Sequence, residues 1–563
     1  MKPFTVKPER RLAPLRLQGR LMRNRRALLA GLAASALCVA FAGTAAGASS
    51  GPRDPKVIGR YKHLVVIYEE NHSFDNLYGT WGRVNGQRVA GVHAPAAQMV
   101  QVAQNGEPYG CLLQNDVNLT SPPLSTTCTD AAHGVAASHF ANTPFTIDNY
   151  IPASATTCAT PKGSVPPPSG VLNGTGLPGG CTRDLVHRFY QEQYQLDAGK
   201  QDRYVTGSDA VGLAMGVYDT RQLPIWQYLH GEDAPHYVIA DHFFQAAFGG
   251  SFLNHQYLVA ARAPIDTSAA LGGAHAVLHS VVDANGFPTT YPLYTPTRTD
   301  VFDKQLTQAC GPNANPAVAC GDFAVNTMQP ANTPHNTGTQ LPLIDDVQYP
   351  NIGDRLSDAG VSWNWYAGGW DNAVAGTPGL FQFHHQPLNY FANYAPGQPG
   401  RAHLRDETEF MSAAQAGTLP SVSFVKPYAT ENEHPGYASE PNGSDHLVDL
   451  LKAITTGPQA RDTLVVVTYD EFGGQWDHVS PPGMAQTRGI HDAFGPGTRI
   501  PALVISASLR RSGVDHTVYD TTSILATIER GLDLKPLSSR DAQVADLRHA
   551  LRVANHHQEA DRD

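Results

Sequence analysis

Two stretches of this chain place carboxylates directly behind unbroken apolar runs. HLVVIY (63–68) leads into Glu69-Glu70-Asn71-His72-Ser73-Phe74-Asp75. TLVVVTY (463–469) leads into Asp470-Glu471, then Phe472-Gly473-Gly474-Gln475-Trp476-Asp477-His478. Carboxylates crowded to about 4 Å repel one another unless a proton or a cation lies between them. Oxygen atoms from Glu70, Asn71, Asp470 and Glu471 suit a hard cation. Either cluster alone reads as well as a solvated strand end; the matched pair points to a metal. A third stretch runs from Asp241-His242 to Phe248-Gly249-Gly250-Ser251-Phe252-Leu253-Asn254-His255. A hydroxyl behind two glycines, entering an expected helix, suits a nucleophile or an anion site. The motif is not GxSxG, because Phe252 stands where the last glycine belongs. Among 24 histidines, His187, the pair His384-His385, and His434 sit in distinctive settings.

These groups need rigid supports. The runs 63–68, 237–240, 361–366, 421–425, 463–469 and 501–506 read as buried strands. Runs without polar alternation suit the centre of a mostly parallel sheet covered on both faces. Helices are expected over 184–198, with His187 on it, over 444–456 ahead of Gly457-Pro458, and over 521–532. The alternation predicts an α/β, doubly wound sheet in a single domain over 49–563. Two long Pro-, Asn- and Thr-rich stretches, near 95–180 and 264–348, read as loop insertions.

Composition narrows the function classes. With 41% hydrophobic and 16% charged residues the chain is globular rather than disordered. Residues 1–48 carry nine Lys/Arg and one acid, so the formal charge of −10 leaves −18 on the remainder. Such a body disfavours nucleic acid and anionic membrane as partners. Arg23, Arg25 and Arg26 before the apolar run 27–43, and Ala46-Gly47-Ala48 after it, predict a cleaved signal peptide over 1–48. The Arg25-Arg26 pair hints at twin-arginine export. Localisation is therefore expected to be periplasmic or secreted, with no stable membrane insertion after cleavage. Six cysteines remain beyond the signal. An even count in an exported chain reads as disulfides, and pairing neighbours (111–128, 158–181, 310–320) closes the shortest loops.

VVIYEENHSFDNLYG resembles the opening motif of the bacterial phosphoesterase family that contains non-haemolytic phospholipases C and secreted acid phosphatases. VVVTYDEFGGQWDHVSPP resembles its second signature, AFGPGTRIPALVIS the strand that follows, and FLNHQYL its nucleophile region, so the resemblance covers about residues 60–535. It implies an alkaline-phosphatase-like α/β sandwich with one divalent metal ion. Carried over by position, Glu70, Asn71, Asp470 and Glu471 are metal ligands, and Ser251 is both nucleophile and a further ligand. His187, His384, His385 and His434 line the phosphate pocket, with Asn254, Asp241, His255 and His478 in supporting places. Oxygen ligation favours Ca²⁺ or Mg²⁺, with Zn²⁺ also compatible. Phospholipase members usually show Gly-Pro-Thr…Pro-Asn-Arg at the nucleophile; Gly-Gly-Ser…Leu-Asn-His looks more like the acid phosphatase branch, as does the short tail after PALVIS. The expected function is an exported, metal-dependent acid phosphatase that cleaves small phosphate monoesters through a phosphoserine. Its activity should fall as pH rises through neutrality. The alternative is a phospholipase C acting on phospholipid headgroups.

Overall fold

A computed structural model of the chain describes residues 56–93, 98–113, 125–150, 182, 184–266, 323–485 and 487–555. The signal peptide expected over 1–48 lies outside the described residues, as do Cys158, Cys181, Cys310 and Cys320. The unit Asp54–Asp563 is built on an eight-stranded sheet. Its strands, in chain order, are β1 (His63–Glu69), β2 (His236–Ala240), β3 (Trp363–Ala367), β4 (Leu404–Asp406), β5 (Val422–Lys426), β6 (Thr463–Tyr469), β7 (Ala502–Ser506) and β8 (Gly513–Asp515). Across the sheet the order is β4-β3-β5-β1-β6-β7-β2-β8. Every pairing is parallel except the two made by β7. The expected α/β architecture with a mostly parallel central sheet is therefore the observed one. All seven residues of β1 and of β6 are buried, so both faces of the sheet are covered where those strands lie. That burial is what an apolar run with no polar alternation requires.

The helices used below are α1 (Phe74–Tyr78), α2 (Phe189–Leu196), α3 (Ser251–Ala260), α4 (Glu407–Ala416), α5 (Glu440–Thr456) and α6 (Thr522–Leu532). Two of them correct the sequence expectation. The helix expected from Asp184 begins only at Phe189, where Arg188 and Gln191 form the N-terminal capping contacts. His187 thus precedes the helix: Val186 N–H is held by Asp209 at 3.0 Å, and the His187 ring bonds to the Leu185 carbonyl. Conversely, α5 starts one turn before Ser444, because Ser439 caps it by accepting from Asn442 N–H and Pro441 occupies its first turn. Among the described residues no helix is long and apolar enough to cross a membrane. The staple expected between Cys111 and Cys128 is also corrected. Both are free thiols; Cys128 Sγ donates to the Phe140 carbonyl at 3.3 Å, and burial followed by the neighbouring Cys128 pushes the Cys111 thiol up to about 12.

The N-terminus of α5 buries an acid. Glu440 is 1% exposed and its Oε1 lies 3.7 Å from His72 Nε2. Burial pushes the Glu440 carboxyl up to about 8 and the His72 imidazole down to about 4. Above the ordinary carboxylate range the unfolded chain has released the Glu440 proton and the folded chain has not, so stability falls as pH rises until about 8. His72 acts in the opposite sense, but only below its unfolded value of about 6.5. Between about pH 6.5 and 8 the acid term therefore stands alone of the two, with a slope of at most about 1.4 kcal/mol per pH unit. Denaturant midpoints measured across that interval should decline for the wild-type protein and decline less for Glu440→Gln. Equal slopes would show that Glu440 does not carry the proton.

Candidate active site

The two acidic clusters meet because their strands are parallel neighbours in zero-offset register, with His63 opposite Thr463 and Glu69 opposite Tyr469. Glu70 and Asp470 are the next residue on each strand. Asn71 then turns the chain at φ 60°, which an asparagine tolerates better than most residues. In that conformation its backbone N–H donates to Asp470 Oδ1 at 3.0 Å. Its side-chain amide donates to His434 Nε2 at 3.0 Å, and that ring's Nδ1 faces the Pro435 carbonyl at 2.6 Å, which assigns the tautomer. The other strand end is held as tightly. Glu471 N–H donates to Asp470 Oδ1, and Gly473 N–H donates to Glu471 Oε2 at 2.6 Å. Gly473 has φ +61°, and a Cβ there would sit 2.2 Å from the Asn71 carbonyl oxygen, so only glycine fits.

Ser251 enters from a third strand. It is the first residue of α3, behind the turn that follows β2. Its Oγ donates to Glu70 Oε2 at 3.2 Å and lies 3.4 Å from Asn71 Oδ1. Asn254, one helical turn on, braces that turn from within. Its Oδ1 accepts from Ala247 N–H, and its Nδ2 donates to the Ala247, Gly249 and Gly250 carbonyls. Gly249 sits at φ +85°, and a Cβ would meet Phe189 N at 2.6 Å. A residue the sequence did not disclose completes the brace. Glu192 on α2 is fully buried and accepts from Gly249 N–H, Gln245 Nε2 and the backbone and hydroxyl of Thr498. Burial outweighs those bonds and raises its carboxyl to about 7.

Histidines close the site. His187 Nε2 faces Glu471 Oε1 at 3.5 Å and His385 Nε2 faces Glu70 Oε1 at 2.9 Å. His255 stacks on His385 at 5.3 Å between ring centroids, His384 packs edge-on against both, and the ring of His187 lies 6.3 Å from that of His434. Burial lowers the pKa of all five rings. Lys426, the last residue of β5, was not anticipated either: its fully buried ammonium contacts Glu70.

The structure thus brings Glu70, Asn71, Ser251, Asp470, Glu471, Asn254 and all five of these histidines into one neighbourhood. Asp241 and His478 belong elsewhere. Asp241 accepts from the rings of His242 and His516 and from Ala90 N–H. His478 bonds to Asp75. Both are linked instead through Arg499, fully buried, whose guanidinium spans Asp75, Asp477 and the carbonyls of Ala90 and Asp241.

The acids themselves test whether a cation fits. Asp470 Oδ2 and Glu471 Oε1 are buried and accept no hydrogen bond. Burial, then Glu70, pushes Asp470 up to about 8; burial and Asp470 push Glu471 well above its usual range. Burial pushes Glu70 the same way, but Lys426 and His385 outweigh it and hold that carboxyl well below the usual range. Buried oxygen atoms that lack hydrogen-bond donors, on acids that keep their protons only because burial disfavours the charge, fit a divalent cation that would take the protons' place.

A model of the Phosphoesterase family matches residues 61–535. The chain is 24% identical over 528 residues to phospholipase C A of Mycobacterium tuberculosis (strain ATCC 25618 / H37Rv), covering 88% of this chain and 77% of that protein. It is 30% identical over 219 residues to the non-hemolytic phospholipase C of Burkholderia pseudomallei (strain K96243), covering 31% of each. Among solved structures, a protein in the alkaline phosphatase superfamily from Vibrio parahaemolyticus aligns at TM-score 0.22 and 12% identity over 34% of this chain and 50% of its own. A sulfatase-like protein from Bacteroides thetaiotaomicron aligns at TM-score 0.28 and 11% identity, over 66% and 74%.

Proposed function

The chain belongs to the phosphoesterase family, and from that membership we propose that it is an exported hydrolase of phosphoric esters using Ser251 at a centre for one divalent ion. The observation that carries the reading is the convergence of Ser251 Oγ on Glu70 Oε2 and Asn71 Oδ1, within 3.4 Å, beside the unpartnered oxygens of Asp470 and Glu471. Glu70, Asn71, Asp470, Glu471 and Ser251 would hold the ion. When bound, it would lower the pKa of the Ser251 hydroxyl and polarise the phosphoryl group.

The chain's own groups supply the rest. The Ser251 hydroxyl donates to Glu70 Oε2, the carboxylate held ionised, which takes the hydroxyl proton as the oxygen attacks phosphorus in line. The alcohol leaves, a phosphoserine forms, and water then releases phosphate. His187, His384, His385 and His434 stabilise the transferred group and protonate the departing oxygen. Soluble phosphate monoesters are the first reading, because a pocket built from imidazoles rather than guanidinium groups binds phosphate best in acid. Burial lowers all four rings, so the fall in activity should set in on the acid side of the ordinary histidine range. A second reading, phospholipid headgroup diesters, is favoured by the names of both relatives.

One set of measurements tests these readings. Metal-stripped protein should hydrolyse no ester, and adding back a divalent ion should restore turnover. Loading at pH 7 should release protons, about one or two, since Asp470 and Glu471 must ionise to bind. Calorimetry in buffers of different ionisation enthalpy counts them. Heat independent of buffer would remove these acids from the centre. A soluble monoester assayed beside a phosphatidylcholine dispersion separates the two substrate classes.

A further inference from the structure

One buried charge in the centre enters that mechanism only through Glu70. Lys426 Nζ contacts Glu70 Oε1, donates to the Glu69 carbonyl at 3.0 Å and lies 5.2 Å from the centroid of the Tyr68 ring. His385 Nε2 approaches the same Glu70 oxygen at 2.9 Å. Glu70, His255 and His385 each offer one ligand atom within 4.8 Å of the others. Glu70 Oε1, His255 Nε2 and His385 Nε2 are all buried without an aligned hydrogen bond. His255 Nδ1 is spent on the Ser251 carbonyl at 2.8 Å, so its free lone pair is on Nε2. One carboxylate and two imidazoles form a donor set for a borderline dication such as Zn²⁺. This set differs from the oxygens beside it, and Glu70 joins the two: Oε2 faces Ser251 and Oε1 faces the histidines.

Charge decides what can occupy the second position. Glu70, Asp470 and Glu471 bring three negative charges when ionised. One dication and the Lys426 ammonium balance them. A second dication with the ammonium still in place would leave two positive charges uncompensated in a buried volume, which is strongly unfavourable. We propose that the Lys426 ammonium is the built-in occupant of a second cation position formed by Glu70, His255 and His385, and that it restricts this centre to a single divalent ion. The inference rests on the one-ion reading above and deepens it by assigning the group that fixes the count.

The test uses full-length protein stripped with chelator, re-equilibrated with Zn²⁺ and dialysed. Bound metal is counted by elemental analysis, and Zn²⁺ is titrated calorimetrically in parallel. The wild-type protein is expected to hold one Zn²⁺, Lys426→Ala two, and Lys426→Ala/His385→Ala one again. A wild-type count of two, or a Lys426→Ala count that stays at one, overturns the proposal. A wild-type count of zero overturns the one-ion reading beneath it. Removing Lys426 leaves Glu70 without its buried partner, so a second arm keeps the lysine. His255→Ala/His385→Ala, with its fold checked by circular dichroism, should retain one Zn²⁺. Loss of that ion would overturn the proposal, because the resident ion would then sit on the histidines.

Discussion

Ser251→Ala is expected to lower ester turnover by at least about 10⁴-fold, the scale seen when a nucleophile is removed from a site that keeps its other parts. The melting temperature should stay close to wild type. Ser251 is a small residue on the first turn of α3, and its side chain bonds to Glu70, Asn71 and Asp470. The turn that presents it is held by Asn254 and Glu192, which the substitution leaves in place. Metal content should fall less than activity, since the oxygens of Glu70, Asn71, Asp470 and Glu471 remain. Phosphate-release kinetics and elemental analysis on one preparation read both quantities. A Ser251→Ala protein with wild-type turnover would move the chemistry to another group.

The largest loss of stability is expected from Arg499→Met. The guanidinium is fully buried, lies over the Phe74 ring at 4.3 Å, and bonds through Nε to both Asp477 oxygens, through one terminal nitrogen to Asp75, and through the other to the carbonyls of Ala90 and Asp241. Removing one partner of a buried ion network leaves the others as uncompensated charges, at a cost of about 3–5 kcal/mol. For a chain of this size that corresponds to a fall of roughly 3–5 °C in melting temperature. Arg499→Lys should lie between, because an ammonium keeps the charge but cannot span four acceptors. Asp75→Asn in the Arg499→Met background should recover part of the loss by removing one stranded carboxylate. If Arg499→Met melts with the wild type, the network contributes no net stability. Thermal or denaturant unfolding of all four proteins decides.

Much of this was legible in the sequence, and the reason is burial. β1 and β6 lie at the centre of the sheet, so their residues are apolar on both faces and the runs end abruptly in acids. Ser251 was legible because two glycines announce a turn too tight for a side chain. The edge strands β4 and β8, three residues each, were not found, because three residues carry no periodicity. Lys426 was hidden for another reason. A lysine at the end of VSFVK reads as the point where a strand reaches water, and only its neighbours across the sheet show that it turns inward. Glu192 and Arg499 were missed on the same grounds, since local sequence says nothing of a partner hundreds of residues away. Asp241 and His478 were given supporting places by the family resemblance. Their carboxylate and imidazole are instead claimed by His242, His516 and Asp75.

The bond from Asn71 N–H to Asp470 Oδ1 joins residues 399 positions apart. A ribosome delivers the first half of the centre long before the second, and no intermediate length of chain contains both. Contacts this distant are slow to form, because so long a loop must close before they return any free energy. Ester turnover by this protein is therefore a gauge of completed folding: a nascent or prematurely terminated chain that stops short of residue 470 has half a centre and should be silent, however well its early strands are made.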